Sequence, residues 1–153
     1  MAKKQSAGIL LYRLKDTGLE VFLVHPGGPF WKKKDAASWT IPKGEFSNEE
    51  EALHAAIREF MEETGFMPKG PFLPLDPIRQ KAGKIVQAWA AAGDLVPALM
   101  KSNIVSLEWP PRSGKKIRFP EVDRGEWFGL AAARQKINPA QASFLDQLFN
   151  RLC

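Results

Sequence analysis

Residues Gly44 to Phe66 read GEFSNEEEALHAAIREFMEETGF, an acidic segment bracketed by two glycines. Glu59, Glu62 and Glu63 are three and four residues apart, the spacing that stacks side chains on one face of a helix. At about 100° per residue they share a narrow sector. Phe60, Ile57, Leu53 and Met61 fall opposite, so the helix is expected to bury one side and present carboxylates on the other. Ser47 as N-cap with Glu50 three residues on reads as a capping box, aided by Glu49 and Glu51 at the positive end of the helix dipole. This sets the start near Asn48. Gly65, suited to a left-handed C-terminal residue, and Pro68 beyond it set the end near Thr64.

Three clustered carboxylates repel one another at neutral pH, and a hard cation such as Mg2+ or Mn2+ relieves that repulsion. The charges alone also fit a solvated acidic face, the commoner fate of such runs. The full pattern tips this balance. Gly44 is followed after five residues by Glu50, and after seven more by Arg58-Glu59-Phe60-x-Glu62-Glu63-x-Gly65-Phe66. Seven fixed identities, at roughly 7% usage per residue type, recur by chance on the order of once in 10⁸ windows.

This pattern resembles the Nudix hydrolase box, with Phe60 and Phe66 standing where the family usually has aliphatic residues. The resemblance extends upstream to Trp39 and Pro42-Lys43-Gly44, a turn similar to that of the diadenosine tetraphosphate hydrolase branch. It implies hydrolysis of a pyrophosphate bond in a nucleoside diphosphate linked to another group, with Mg2+ (or Mn2+) held by Glu59, Glu62 and Glu63. It also implies the main-chain carbonyl of Lys43 as a metal ligand. Gly44, Glu50, Arg58 and Gly65 would be structural, with Arg58 close enough to Glu59 and Glu62 to hold a carboxylate in place. Glu121, six residues before Trp127-Phe128, matches an acid that contacts metal or acts as base in several branches, with Asp123 second. Glu62, Glu63 and Glu121 all remain open as general base.

Elsewhere, Ser6–Leu14 and Leu19–His25 read as a hairpin of strands whose near-continuous apolar runs predict burial on both faces, hence helices on each side of a sheet. The long loop from Pro26 carries Phe30, Trp31 and Lys32 to Lys34, which suit a base and phosphates. His25 reads as a hydrogen-bonded strand-end residue, and His54 as a surface or half-buried one. Ser38–Gly44 is a short strand with Trp39 in the core. Pro71–Gln80 and Lys84–Ala92 read as a second strand pair, with Arg79, Lys81 and Lys84 around the turn. The strand position that carries a base-stacking Tyr in the dinucleoside tetraphosphate hydrolases corresponds to Ala88, beside Trp89. Any stacking here would pass to Phe or Trp. The basic turn Pro110–Arg118 is dense enough in charge for phosphate, and Leu107–Trp109 for a short strand. Lys43, Lys84, Lys116, Arg118 and Trp89 are the expected substrate-binding residues. Leu130–Lys136 predicts a short helix, and Asn138-Pro139 opens a last one with an apolar stripe through Ala142, Phe144, Leu145, Leu148 and Leu152.

The expected fold class is α/β, a Nudix-type α/β/α sandwich on a mixed sheet, in a single domain over 1–153. No apolar run approaches the roughly 20 residues of a membrane span, and the N-terminus lacks a secretory pattern, so a cytoplasmic protein is expected. Cys153 is the only cysteine, which leaves no intramolecular disulfide and no cysteine-based zinc site. The net charge of +5 divides into −6 over residues 44–66 and +11 elsewhere, an asymmetry suited to a polyanion arriving with divalent cations. The expected partner is a small nucleotide polyphosphate, above all a dinucleoside polyphosphate such as diadenosine tetraphosphate. No nucleic acid and no membrane are expected, and the protein is expected to be a monomer or homodimer. The alternatives are a nucleoside triphosphate pyrophosphohydrolase acting on normal or oxidised nucleotides, or a non-catalytic nucleotide- or RNA-binding module.

Overall fold

The computed structural model describes residues 4–152; Cys153 lies outside the described residues. Strands β1 (Gln5–Lys15) and β2 (Gly18–Pro26) form the expected antiparallel hairpin, with Lys15 opposite Gly18 and a two-residue turn at Asp16-Thr17. Gly18 sits at φ 124°, a conformation side chains resist. The inner half of β1 also pairs antiparallel with β3 (Lys43–Phe46), which places the start of the acidic motif inside the sheet.

The Pro71–Gln80 strand is broken into β4 (Leu73–Pro74) and β5 (Ile78–Arg79), both antiparallel to β6 (Ile85–Ala92). Pro77 has no N–H to give a ladder, and the neighbouring Asp76 N–H donates to Gln147 Oε1 instead. Strand β6 runs parallel to β1, so the sheet is mixed, in the order β4-β6-β1-β2-β9, where β9 is Val122–Gly129. Strands β7 (Ile104–Glu108) and β8 (Lys116–Pro120) form a separate two-stranded hairpin. The basic turn read as a phosphate loop is largely the tip of this arm.

Alternating residues of β1 and β2 feed two cores. Ile9, Leu11, Phe22 and Val24 pack under α1 (Ala52–Thr64) against Ala55, Ala56 and Phe60. Leu10, Val21 and Leu23 pack with Trp39 against α2 (Leu130–Lys136) and α3 (Ala142–Leu152), through Ala133, Phe144, Leu145 and Leu148. Each fully buried Leu, Val or Phe contributes about 1.5–3 kcal/mol, and this double burial is what the unbroken apolar strands encode. No helix among the described residues is long and apolar enough to cross a membrane.

Helix α1 starts four residues later than the capping box predicts. Glu51 is its N-cap, without a side-chain cap bond. The Glu50 N–H donates to the Ser47 carbonyl in a turn, and the Glu50 carboxylate is taken by Arg58. A bidentate charged pair outcompetes a single cap bond to a backbone N–H. The helix ends as expected, with Gly65 at φ 80° and its N–H on the Met61 carbonyl.

Candidate functional site

The carboxylates and the apolar residues of α1 do not occupy opposite faces. The buried stripe runs Ala55, Ala56, Glu59, Phe60, Glu63 and Thr64, so two acids lie on the packed side. Met61 is 41% exposed instead. Glu62 is also turned outward, with its side chain 41% exposed and paired with Arg58 at 3.2 Å. The cluster that forms is Glu59, Glu63 and Glu121, whose nearest ligand atoms all lie within 4.8 Å of one another.

Glu121 is held between β8 and β9 by its backbone. Its N–H donates to the Asn103 carbonyl at 3.0 Å, and its carbonyl accepts from Gly27 N–H at 2.8 Å. Asn103 N–H in turn donates to the Glu62 carbonyl and Lys101 N–H to the Thr64 carbonyl, satisfying acceptors left over at the end of α1. Ser102 Oγ accepts from Val122 N–H at 3.1 Å. Segment 101–103 thus fastens Glu121 to the helix that carries Glu59 and Glu63. Nothing in its residue types announces this, because backbone groups do the work.

Burial pushes the Glu63 carboxyl well above the usual carboxylate range, and repulsion from Glu121 and Glu59 adds to it; the Lys43 ammonium and backbone N–H pull the other way. Glu59 is raised too, by burial first and then by Glu62. The Lys43 ammonium is lowered by burial and by Lys84. Two buried carboxylates and a half-buried one, hard oxygen donors that repel one another, fit a divalent Mg2+ or Mn2+ ion.

Arg58 organises the acids around it. It grips Glu50 through Nε and Nη2 at 2.8 and 2.9 Å, and Nη1 reaches Glu59 at 2.9 Å as well as Glu62. Arg58→Ala is expected to cost only about 1 kcal/mol of stability, since the pairs are partly exposed and screened. It should lower activity by more than that, because Glu59 loses its partner. Chemical denaturation alongside turnover checks this, and Arg58→Lys, which lacks the fork, should restore little.

A cavity of about 250 Å³ opens beside the acids, lined among others by Trp31, Thr40, Lys43, Glu63, Glu121 and Gln141. Of the expected substrate residues, Lys43 borders it. Lys84 stands nearby but pairs with Glu45 at 3.4 Å, and Lys116 and Arg118 point from the exposed β8 arm rather than into the cavity. Trp89 packs against the core beneath α1, and Ala88 is buried in the opposite core, so neither can meet a base there. Trp31 takes the aromatic place at the cavity, edge-on to Phe30 at 4.9 Å. His25 is fully buried, with Nδ1 on Asp123 Oδ1 at 2.8 Å and Nε2 donating to the Lys34 carbonyl at 2.6 Å. Asp123 is therefore engaged in anchoring the Trp31 loop. His54 lies on the surface. Gln141, fully buried at the cavity, carried no sequence signal beyond following Asn138-Pro139.

Comparison with known proteins accords with this layout. The NUDIX domain family model matches residues 2–148. Similar solved structures include the NUDIX domain of Shewanella oneidensis NrtR complexed with ADP ribose, with TM-score 0.68 and 19% identity over 100% of this chain and 90% of that one. A Caenorhabditis elegans Ap4A hydrolase binary complex has TM-score 0.64 and 23% identity over 97% of each chain. A mutT/nudix family protein from Listeria innocua has TM-score 0.65 and 18% identity over 99% and 95%. At these identities the likeness shows the fold. No curated protein matches the chain.

Proposed function

This chain belongs to the NUDIX domain family, and on that premise we propose that it is a Mg2+- or Mn2+-dependent pyrophosphohydrolase of a nucleoside diphosphate linked to another group, with a dinucleoside polyphosphate as the first choice. The observation that carries this reading is the convergence of Glu59, Glu63 and Glu121 beside a cavity that Lys43 borders. Glu59, Glu63 and Glu121 would hold the ion, with the Lys43 carbonyl as a further ligand. When bound, the ion would offset charge on the bridging phosphates and acidify the attacking water.

The chain's own groups supply the rest. Water oxygen attacks phosphorus, the P–O–P bond breaks, and the leaving phosphate departs with the bridging oxygen. A carboxylate takes the water's proton. Glu63 and Glu121 border the cavity and Glu62 does not, so we assign the proton to Glu121, with Glu62 tied to Arg58. The Lys43 ammonium faces Glu63 and Glu121 and is placed to balance negative charge as it grows on the phosphates.

Room for a dinucleoside comes from a second cavity of about 440 Å³, which shares Gln80 and Asn138 with the first. The C. elegans neighbour named as an Ap4A hydrolase supports the same choice. A nucleoside triphosphate is the second reading, favoured by the burial of Ala88 and by the packing of Trp89 against the core beneath α1, outside the cavity lining. Product analysis with Mg2+ on diadenosine tetraphosphate, nucleoside triphosphates and ADP-ribose tests both. The expected result is ATP and AMP from diadenosine tetraphosphate, abolished by chelator. No turnover of anything on the panel would sink the enzyme reading.

A further inference from the structure

Strand β9 is irregular where it approaches the carboxylates. Its pairing with β2 sets Arg124 opposite His25 but Val122 opposite Pro26, which leaves Asp123 as the extra residue of a β-bulge. A bulge bends its strand and re-aims the side chains beside it. Here the slip brings Glu121 beside Gly27, whose N–H donates to the Glu121 carbonyl at 2.8 Å. Glu121 is the one member of the acidic cluster that α1 does not carry. Where its carboxylate stands therefore depends on how the bulge is held.

His25 and Gly27 hold it from the side of β2. The His25 ring is fully buried and edge-on to Trp39, with centroids 5.3 Å apart. Its Nε2 donates to the Lys34 carbonyl at 2.6 Å, which fixes the ring on the loop side and leaves Nδ1 to meet Asp123 Oδ1 at 2.8 Å. Arg124 Nε lies 3.9 Å from the same oxygen. Leu23 and Val24 before His25 are buried and apolar, and a polar ring in their company is disfavoured unless both nitrogens are engaged. The position thus calls for hydrogen bonding and not for bulk alone. At Gly27 a Cβ would overlap the Pro120 carbonyl oxygen, so the junction of β8 and β9 closes on the loop only over a glycine.

We propose that His25 is a positioning residue for the cation site: by holding Asp123 in the bulge, it sets where β9 delivers Glu121 to Glu59 and Glu63. This rests on the reading of those three acids as a Mg2+ or Mn2+ site given above. His25 acts through Asp123 and meets neither ion nor substrate. Asp123, the second candidate acid of the loop, is thereby assigned to the bulge and not to the ion.

The test measures Mn2+ binding to the substrate-free protein by calorimetry, for the wild type, His25→Phe, Asp123→Ala and Asp123→Asn. Melting curves establish that each variant is folded. His25→Phe keeps an aromatic ring beside Trp39 and removes both hydrogen bonds. Asp123→Ala removes the partner of Nδ1 and leaves the bond to Lys34, whereas Asp123→Asn keeps an acceptor oxygen. Residues that orient metal ligands from outside are worth about 10–100-fold in metal affinity, so His25→Phe and Asp123→Ala should each weaken Mn2+ binding by about tenfold or more. Asp123→Asn should stay close to the wild type. A merely structural role would lower the melting temperature and leave the Mn2+ affinity of the folded protein unchanged, and that result in His25→Phe overturns the proposal. If His25→Phe does not fold, Asp123→Ala decides on the same terms. Equal losses in Asp123→Ala and Asp123→Asn, with His25→Phe spared, would make Asp123 a ligand and overturn the proposal too. A wild type that binds no Mn2+ strikes the cation reading and this inference with it, whereas equal binding by the wild type and every variant strikes this inference alone.

Discussion

Replacing Glu63 by Gln is expected to abolish hydrolysis and, at the same time, to raise the thermal stability of the metal-free protein. Both follow from one fact: Glu63 is only 3% exposed and faces Glu59 and Glu121. Removing its charge takes one repulsion out of a low-dielectric site. About 1 kcal/mol of relief corresponds to a rise of about 2–4 °C for a chain of this size. Loss of a proposed metal ligand should lower kcat/KM by at least about a hundredfold. Mg2+ should raise the melting temperature of the wild type and barely move that of the variant. Melting curves with and without Mg2+ check this, and a variant no more stable than the wild type without metal would contradict the repulsion argument.

The same geometry sets a pH dependence. A carboxyl whose pKa is higher folded than unfolded takes up a proton on folding, so its contribution to stability falls as pH rises above the unfolded value of about 4.3. Glu63 and Glu59 both shift this way, so the metal-free protein should lose stability between weakly acidic and neutral pH. Mg2+ binding at neutral pH should reverse that loss. Glu50, held low by Arg58, acts oppositely: its contribution is present above its unfolded value and lost as pH falls through its folded one. Melting temperature against pH for wild type and Glu63→Gln should show a shallower decline in the variant.

Gly44→Ala is expected to damage activity more than stability. A Cβ at Gly44 would overlap the carboxylate of Glu59, which lies directly on the glycine's backbone. Strand β3 is fixed there by its pairing of Gly44 with Ala7, and α1 is fixed by Phe60 in the core, so neither element can retreat cheaply. Overpacking of this kind costs about 1–3 kcal/mol. The larger effect falls on chemistry, since a displacement of about 1 Å at a reacting group can cost a hundredfold in rate. The expected outcome is a folded protein with its activity down by about that factor and weaker stabilisation by Mg2+. Retention of wild-type kcat/KM would show that the Glu59 carboxylate can shift without consequence.

The residues that bracket and fill the acidic motif were legible because each is required locally. Gly44 makes room for a carboxylate, Gly65 takes a left-handed turn, and Arg58 pairs with an acid on its own helix and with Glu50 before it. The two-sided burial of β1 and β2 was equally plain, since continuous apolar runs need cover on both faces. The face of α1 was misjudged for a physical reason: helical periodicity places residues relative to one another, but the orientation of the helix against the sheet determines which of them are buried. Tertiary contact alone separated Glu59 and Glu63 from Glu62, brought Glu121 to them through Asn103, and left the Gln141 amide without an acceptor. It also spread Lys116, Arg118 and Trp89 away from the cavity, because attraction to phosphate says nothing about where the chain carries a lysine. By itself the sequence determined the fold, the family likeness and the acids of the motif, through short-range spacing and burial pattern. Which acids converge, which amide is free and which loop covers the cavity depend on contacts between residues far apart in the chain, and only the tertiary structure decided them.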